Sequence, residues 1–184
     1  MLRFDLTDDA HLRLYDEADA CELHDLIVAN REHLAPWMPW WQQRAQDAAG
    51  FIRESRQAVA DDAGLVTAVV VGGRLAGTVG SHVVDRQHGK ASLGYWLGAG
   101  FEGRGLATRA VAAHLGDAFG RRGLHRAELH IAVGNAPSRA VAERLGFTCE
   151  GVMREAYAIG DGRQDIELWS LLAHEWRSDP AQRG

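Results

Sequence analysis

Midway along the chain the sequence runs Gly94-Tyr95-Trp96-Leu97 and, after three further residues, Phe101-Glu102-Gly103-Arg104-Gly105-Leu106-Ala107-Thr108. The first run predicts a strand, and the apolar spacing after the second predicts a helix. The first N–H groups of a helix have no partners within it, and glycine lets a phosphate approach the backbone, so the turn predicts an anion site. A tight connection without a ligand explains the same turn equally well.

Two other phosphate-binding motifs do not fit this turn. A P-loop needs lysine and then serine or threonine after its second glycine, whereas Leu106 and Ala107 follow Gly105 here. A dinucleotide-binding turn ends in glycine or alanine, whereas this one ends in Thr108. Three consecutive strand-like runs precede the turn, which does not suit a parallel doubly wound sheet. The sequence therefore disfavours both nucleotide folds.

The rest of the chain predicts a mixed α+β fold in which seven strands form one sheet flanked by helices. The order is strand, two helices, three strands, helix, strand, helix, two strands. Pro36 and Pro39 interrupt the segment between the first two helices, which we expect to be a loop or a broken helix. The predicted strands are 11–15, 65–71, 74–84, 91–97, 126–133, 147–159 and 164–172, and the predicted helices are 17–30, 46–60, 103–122 and 135–146.

Length and composition favour one domain. The chain has 184 residues, 46% of them apolar, which suits a single buried core better than two. We expect one domain over residues 1–184, with its core at about 11–173 and a frayed tail at about 178–184.

Charge and hydropathy exclude several kinds of partner. The formal charge of −5 and the lack of a long basic run argue against nucleic-acid binding. No apolar stretch approaches the roughly 20 residues that cross a bilayer, and the first residues do not read as a signal peptide. We therefore expect a cytoplasmic protein without a membrane partner.

Cysteine and histidine do not form the pattern of a metal site. Cys21 and Cys149 lie far apart, and the nine histidines include no HxH, HxxH or HExxH spacing. We expect neither a disulfide framework nor a bound metal.

Runs on both sides of the glycine turn complete a larger pattern. Downstream, Asn135-Ala136-Pro137-Ser138 leads to Leu145-Gly146-Phe147 and Glu150-Gly151; upstream lies Asn30-Arg31-Glu32-His33-Leu34 with Trp37-Met38-Pro39-Trp40. In this order and spacing, residues from about 12 to 172 resemble the GNAT superfamily of N-acetyltransferases, in particular the RimJ/RimL type that acetylates ribosomal-protein N-termini. The resemblance implies a mostly antiparallel sheet with splayed central strands.

One position departs from the family signature, which has glutamine or arginine where this chain has Glu102. A carboxylate beside a pyrophosphate is repulsive unless it turns to solvent. The main-chain donors of the turn do not depend on that side chain.

The resemblance implies acetyl-CoA as the acyl donor. Main-chain N–H groups of the turn would hold the pyrophosphate, and the pantetheine arm would lie between the splayed strands like an added strand. Asn135 would bond to the arm, although capping of the following helix explains that asparagine as well. The implied cofactor-binding residues are Leu97, Gly103, Arg104, Gly105, Leu106, Ala107, Thr108, Asn135 and Ser138.

The resemblance also implies direct attack of a free amine on the acetyl thioester. That chemistry needs a group to take a proton from the amine and a donor for the departing thiolate. Ser138 matches the position of the donor, although a first-turn serine also satisfies helix N–H groups. In this family the strand after Gly146-Phe147 carries a proposed base, and Tyr157 stands at that position here, with Glu155 two residues earlier on the same face. Glu128 and His130 are lower-ranked candidates, which solvent-facing strand positions explain better.

The acceptor is less defined by the sequence. Trp37, Trp40 and Trp41 lie among prolines and predict either a wall for the acceptor or an aromatic plug in the core, and Arg154 and Asp165 are further candidates for acceptor contact. The leading hypothesis is N-acetylation of a primary amine, with a protein or peptide α-amino group as acceptor. The alternatives are a non-catalytic acyl-CoA sensor, acetylation of a small-molecule amine and a nucleotide-binding protein. The resemblance leaves a homodimer open.

Overall fold

A computed structural model describes residues 2–177, apart from the side chain of Val83. The strands of this region form one eight-stranded sheet in the order β1-β2-β3-β4-β5-β6-β8-β7. The predicted tail at 178–184 lies outside the described residues. The strands are β1 (Arg3–Thr7), β2 (Ala10–Arg13), β3 (Leu65–Val71), β4 (Arg74–Asp85), β5 (Lys90–Leu97), β6 (Arg126–Ala132), β7 (Thr148–Ile159) and β8 (Gly162–Leu172).

The sheet confirms the mixed, mostly antiparallel architecture, because within the described chain only the β5–β6 pair is parallel. The predicted number of seven strands was wrong, since β1 adds an eighth. This strand lies at the sheet edge, pairs only with β2 and buries only Leu6, so its five residues carry a weak alternation signal.

Side-chain and glycine caps mark several of the helix ends. Asp16 accepts the N–H of Ala18 at a short 3₁₀ turn ahead of the first helix, and Asp47 accepts the N–H of Gly50. Gly146 ends the last helix with a positive φ of 83°. None of the helices within residues 2–177 is long and apolar enough to cross a bilayer. The helices are α1 (Ala20–Ala29), α2 (Arg31–Leu34), α3 (Trp41–Gln46), α4 (Ala48–Ala60), α5 (Leu106–Gly116) and α6 (Ala136–Leu145).

The two central strands separate partway along their length. β5 and β6 pair from Lys90↔Arg126 to Leu93↔Leu129, yet β5 continues to Leu97 and β6 to Ala132. The predicted splay is therefore present, and it leaves unpaired main-chain groups along both sides of a gap.

Each face of the sheet carries its own apolar core. α5 and α6 bury Leu106, Leu115 and Leu145 against one face, together with Leu129 of β6. α1 and α4 bury residues such as Ile52 against β3 and β4 on the other face. Successive strand residues point to opposite faces, so the neighbours of Leu129 in β6 project away from α5 and α6.

The first core contains a buried histidine on α5. His114 is 2% exposed, and its Nε2 lies 2.9 Å from Oγ1 of Thr67 on β3. Burial lowers the pKa of His114 from 6.5 to about 3, opposed by the charge of Asp117 and assisted by those of His82 and Arg122. The imidazole is therefore neutral in the folded protein at neutral pH.

A lowered histidine pKa makes the folded protein sensitive to acid. Its contribution to stability is fully present above the unfolded pKa of 6.5 and is lost as pH falls from there toward the folded value of about 3. We expect His114 to remove about 2 kcal/mol of the free energy of unfolding between pH 7.5 and pH 5. Urea unfolding of wild type and His114→Gln at both pH values measures this difference. Equal pH dependence in the two proteins would contradict it.

Candidate active site

The glycine turn forms the start of α5. Gly103 and Gly105 have positive φ values of 72° and 71°, a region that side-chain-bearing residues adopt at a cost. The first main-chain bond of the helix runs from Arg109 N–H to the Gly105 carbonyl at 3.1 Å, so the N–H groups of Leu106, Ala107 and Thr108 have no acceptor within the helix. The helix thus begins three residues later than its predicted start at 103, because the left-handed residue at 105 cannot belong to it.

A cleft of about 1050 Å³ runs from this turn across the end of β5. Its lining includes Gly103, Gly105 and the first turn of α5, together with Leu34, Trp37 and Met38. Apolar surface predominates along its wall. The lining also includes Tyr95, Leu97, Asn135 and Ser138, which places the gap between β5 and β6 beside the cleft.

A tyrosine and a serine form the polar centre of the cleft. The Tyr95 hydroxyl lies 2.8 Å from Ser138 Oγ and 3.3 Å from the Ser138 carbonyl oxygen. Burial raises the pKa of Tyr95 to about 12, with the Ser138 hydrogen bond acting against that rise, so the hydroxyl stays protonated. Tyr95 was not among the sequence candidates. The sequence feature that could have identified Tyr95 is the alternation of Leu93, Tyr95 and Leu97 along β5. Alternate residues share a face of the sheet, so the Tyr95 ring lies on the face that α6 covers.

Asn135 caps the start of α6. Its Oδ1 accepts the main-chain N–H of Ser138 at 3.2 Å, while the Ser138 side chain contacts Tyr95. Ser138 therefore has a hydroxyl held in the cleft and is not the residue that caps α6.

The Glu102 side chain points toward α2. Its Oε1 lies 3.3 Å from Nε2 of His33, the residue next to the end of α2. At the end of α1, Asn30 Oδ1 accepts the N–H of Ala99 at 2.8 Å. These contacts explain how a carboxylate is accommodated where the signature has glutamine or arginine. They also join the α1–α2 segment to the turn.

Three arginines, Arg109, Arg144 and Arg177, line the cleft. Arg144 lies at its turn end, where it donates to Thr108 Oγ1 at 3.3 Å. The Arg104 side chain instead pairs with Asp9 at 2.7 Å, so only its main chain faces the turn. Arginine suits phosphate recognition because its donors are fixed in a fork.

The three predicted tryptophans separate into two roles. Trp37 lines the cleft and lies against Gly134, where an added Cβ would be 3.5 Å from the ring. Trp40 packs on Trp96 with ring centroids 6.2 Å apart, and Trp41 packs against the same buried cluster. The structure therefore places Trp37 in the cleft wall and the other two tryptophans against the core.

The predicted base candidates lie outside the cleft lining. Glu155 is exposed with a φ of 50°, in an irregular stretch of β7 where its N–H donates to Asp165 Oδ1 at 2.7 Å. Tyr157 instead contacts Nδ1 of His130 at 2.9 Å. The structure thus brings Tyr157, His130 and Glu128 together and leaves Glu155 apart, while Arg154 is exposed on the same edge strand.

The described side chains do not gather into a metal site. Within residues 2–177, no group of three or more histidine, cysteine, aspartate or glutamate residues could hold a metal ion.

A sheet with splayed central strands, unpaired N–H groups at a glycine turn and an apolar cleft between them defines a protein that binds an acyl-CoA thioester and transfers its acyl group. The GNAT acetyltransferase domain matches residues 10–148. The chain belongs to the GNAT family, RimJ/RimL type, and is an acetyl-CoA-dependent N-acetyltransferase.

Individual relatives agree with this assignment. The putative ribosomal N-acetyltransferase YdaF of Bacillus subtilis (strain 168) is 33% identical over 172 residues, which covers 91% of this chain and 93% of that protein. A crystal structure described as a probable acetyltransferase superposes with a TM-score of 0.89 at 32% identity, covering 95% and 99% of the two chains. The microcin C7 self-immunity acetyltransferase MccE, solved with acetyl-CoA and AMP, superposes with a TM-score of 0.83 at 29% identity, covering 91% and 94%.

Proposed function

We propose that the protein transfers the acetyl group of acetyl-CoA to the α-amino group of a protein or peptide, with ribosomal-protein N-termini as the first candidates. The observation that carries this proposal is the single cleft whose lining takes in the glycine turn, Trp37 and the Ser138–Tyr95 pair. One cleft can thus hold the donor beside the turn and an extended acceptor beside Trp37. A cytoplasmic location belongs to the same proposal, since ribosomal proteins are made there.

The names of relatives support the choice of acceptor. YdaF is described as a putative ribosomal N-acetyltransferase. The Escherichia coli (strain K12) enzyme described as a [ribosomal protein uS5]-alanine N-acetyltransferase is 30% identical over 183 residues, covering 92% of this chain and 91% of that enzyme.

The proposed roles follow the geometry of the cleft. Main-chain N–H groups from Gly103 to Thr108 bind the pyrophosphate, with Arg109 and Arg144 adding positive charge. Leu97 offers main-chain groups beside the gap. The amine nitrogen attacks the thioester carbonyl carbon and the carbon–sulfur bond breaks. Ser138 Oγ–H gives its proton to the thiolate, and the proton that the attacking nitrogen loses is returned to the serine oxygen through water. Tyr95 then donates to Ser138, which keeps the hydroxyl oriented.

The acceptor class can be tested with matched peptides. We expect acetyl-CoA-dependent release of CoA thiol with peptides that begin with free alanine or serine. We expect no release when the same peptides carry a blocked α-amino group and keep an internal lysine. A polyamine and an aminoglycoside serve as small-molecule amines in the same assay. Turnover confined to those amines would replace the peptide acceptor, and CoA binding without turnover on any amine would support the sensor alternative.

A further inference from the structure

Glu102 and His33 meet between the glycine turn and the helix α2. Oε1 of Glu102 lies 3.3 Å from Nε2 of His33, and both residues line the cleft. Their side chains are 49% and 31% exposed, so water screens the contact only in part. Among residues 2–177, His33 is the only basic side chain within ion-pair distance of Glu102. The side chain at position 102 is therefore engaged with α2.

Asn30 sets the distance between α2 and the loop that precedes the turn. Its Oδ1 accepts the N–H of Ala99 at 2.8 Å, and its Nδ2 donates to the Leu26 carbonyl of α1 at 2.8 Å. A Cβ added at Gly98 would lie 3.1 Å from that Nδ2, so the loop and the end of α1 are in close contact. His33 adds a second link between the same two segments, three residues further along the chain.

The chain at the end of α2 forms the wall beside which we place the acceptor. The Leu34 carbonyl accepts the N–H groups of Trp37 and Met38 at 3.0 and 2.9 Å, and all three residues line the cleft. We call these three residues the acceptor wall. Next to Trp37, the Pro36 carbonyl accepts the side-chain amide of Gln164 at 3.1 Å. The wall is therefore fastened to β8 through Pro36 and depends on α2 for its other attachment.

The negative charge at position 102 also concerns the cofactor. Glu102 immediately precedes Gly103, and the proposed function places the pyrophosphate on the N–H groups that follow. A carboxylate that turned toward those groups would repel the pyrophosphate. The neighbouring guanidinium does not neutralise it, because Arg104 pairs with Asp9 at 2.7 Å. Contact with His33 therefore keeps this charge on the α2 side of the turn.

We propose that Glu102 and His33 are positioning residues for the acceptor. In the family signature position 102 belongs to the cofactor turn, whereas in this chain its side chain anchors α2 and so fixes the acceptor wall. The same contact holds the carboxylate away from the pyrophosphate. This inference rests on the proposed function, because it assigns the wall to the acceptor. Its effect on CoA binding does not depend on which amine is acetylated.

Three variants test the pair, with Arg31→Ala as the matched control. Glu102→Gln removes the charge, His33→Ala removes its partner, and the double variant removes both. Arg31 lies on the same helix and pairs with Glu32 at 3.9 Å, so its loss takes a positive charge from α2 and leaves the His33–Glu102 contact in place. We expect the control to match wild type in CoA affinity and in the KM for peptide.

Isothermal titration with CoA measures the effect of the charge. His33→Ala should weaken CoA binding by about fivefold, because the released carboxylate can turn toward the pyrophosphate. Adding Glu102→Gln to that variant should restore at least wild-type affinity, a rescue that a histidine acting only through the fold of α2 would not show. A double variant as weak as His33→Ala, or wild-type affinity in His33→Ala, would overturn the proposed contact.

Acetylation of an alanine-initiated peptide at saturating acetyl-CoA measures the positioning. Each of the three variants should raise the KM for peptide about tenfold with a smaller change in kcat, because the wall shifts while Ser138 stays in place. The double variant should lose no more than a single one, since both changes break one contact. Wild-type KM in all three would overturn the inference and leave peptide acetylation intact. Wild type that acetylates no peptide would remove the proposed function and the acceptor role together.

Discussion

Gly105→Val is expected to weaken CoA binding by about a hundredfold or more while the sheet stays folded. Position 105 has a φ of 71°, which costs a β-branched residue about 1–3 kcal/mol. Relief of that strain moves the start of α5 and with it the N–H groups of Leu106, Ala107 and Thr108. Apart from the adjoining residues of the chain, no atom of residues 2–177 lies within 4 Å of the Cβ site, so the strain and the blocked approach of the ligand, and not a clash, produce the loss.

Gly100→Val is the matched control for this experiment. Gly100 lies in the short 3₁₀ turn Ala99–Phe101, has no positive φ and has equally open space at its Cβ site. We expect it to keep wild-type CoA affinity. Isothermal titration with CoA measures both variants, and circular dichroism checks their fold. A folded Gly105→Val protein that binds CoA like wild type would show that the anion site lies elsewhere.

Ser138→Ala is expected to lower kcat by about a hundredfold with little change in CoA affinity. The variant removes the proposed donor to the thiolate, and general acid catalysis contributes about 10²–10⁴-fold. Because Asn135 caps α6 by accepting the Ser138 main-chain N–H, the cap survives the substitution. Tyr95→Phe should cost less, about tenfold, because the serine hydroxyl remains but loses its 2.8 Å partner.

Ser138→Thr and thermal unfolding provide the controls. Threonine keeps a hydroxyl and should recover part of the activity that alanine loses, whereas a purely structural serine would show no such rescue. The melting temperature of Ser138→Ala should stay close to that of wild type because the α6 cap is intact. A loss of CoA affinity equal to the loss in kcat would assign Ser138 to binding instead of to proton donation.

Local patterns were enough to predict most elements of the fold. The β3–β4 hairpin around Gly72-Gly73, the helix after the glycine turn and the helix opened by Asn135 all follow from turn chemistry and capping, which act within a few residues. The edge strand β1 was missed because it buries only one side chain, so its sequence shows little alternation of apolar and polar residues. Its pairing with β2 is a contact that the local sequence pattern does not reveal.

The residues proposed for the donor side follow from local sequence, whereas the long-range contacts of the cleft do not. The main-chain donors of the turn are local, so Gly103 to Thr108 could be named from the sequence. The Tyr95–Ser138 pair joins residues 43 positions apart, and the Asn30–Ala99 contact joins residues 69 positions apart. Such pairs form only after the sheet brings β5, α6 and α1 together, and no spacing rule in one sequence reports them.

Neighbouring residues along the sequence were sufficient to predict the class of fold, the glycine turn and the family, because they set glycine conformations, helix caps and strand alternation. Tertiary structure alone decided what surrounds that turn. It turned Glu102 toward His33, gave the helix cap to Asn135 and the cleft hydroxyl to Ser138, and placed His130 beside Tyr157 at the opening between β5 and β6. Proton donors and acceptors act over hydrogen-bond distances, and those distances are set by how the strands and helices pack.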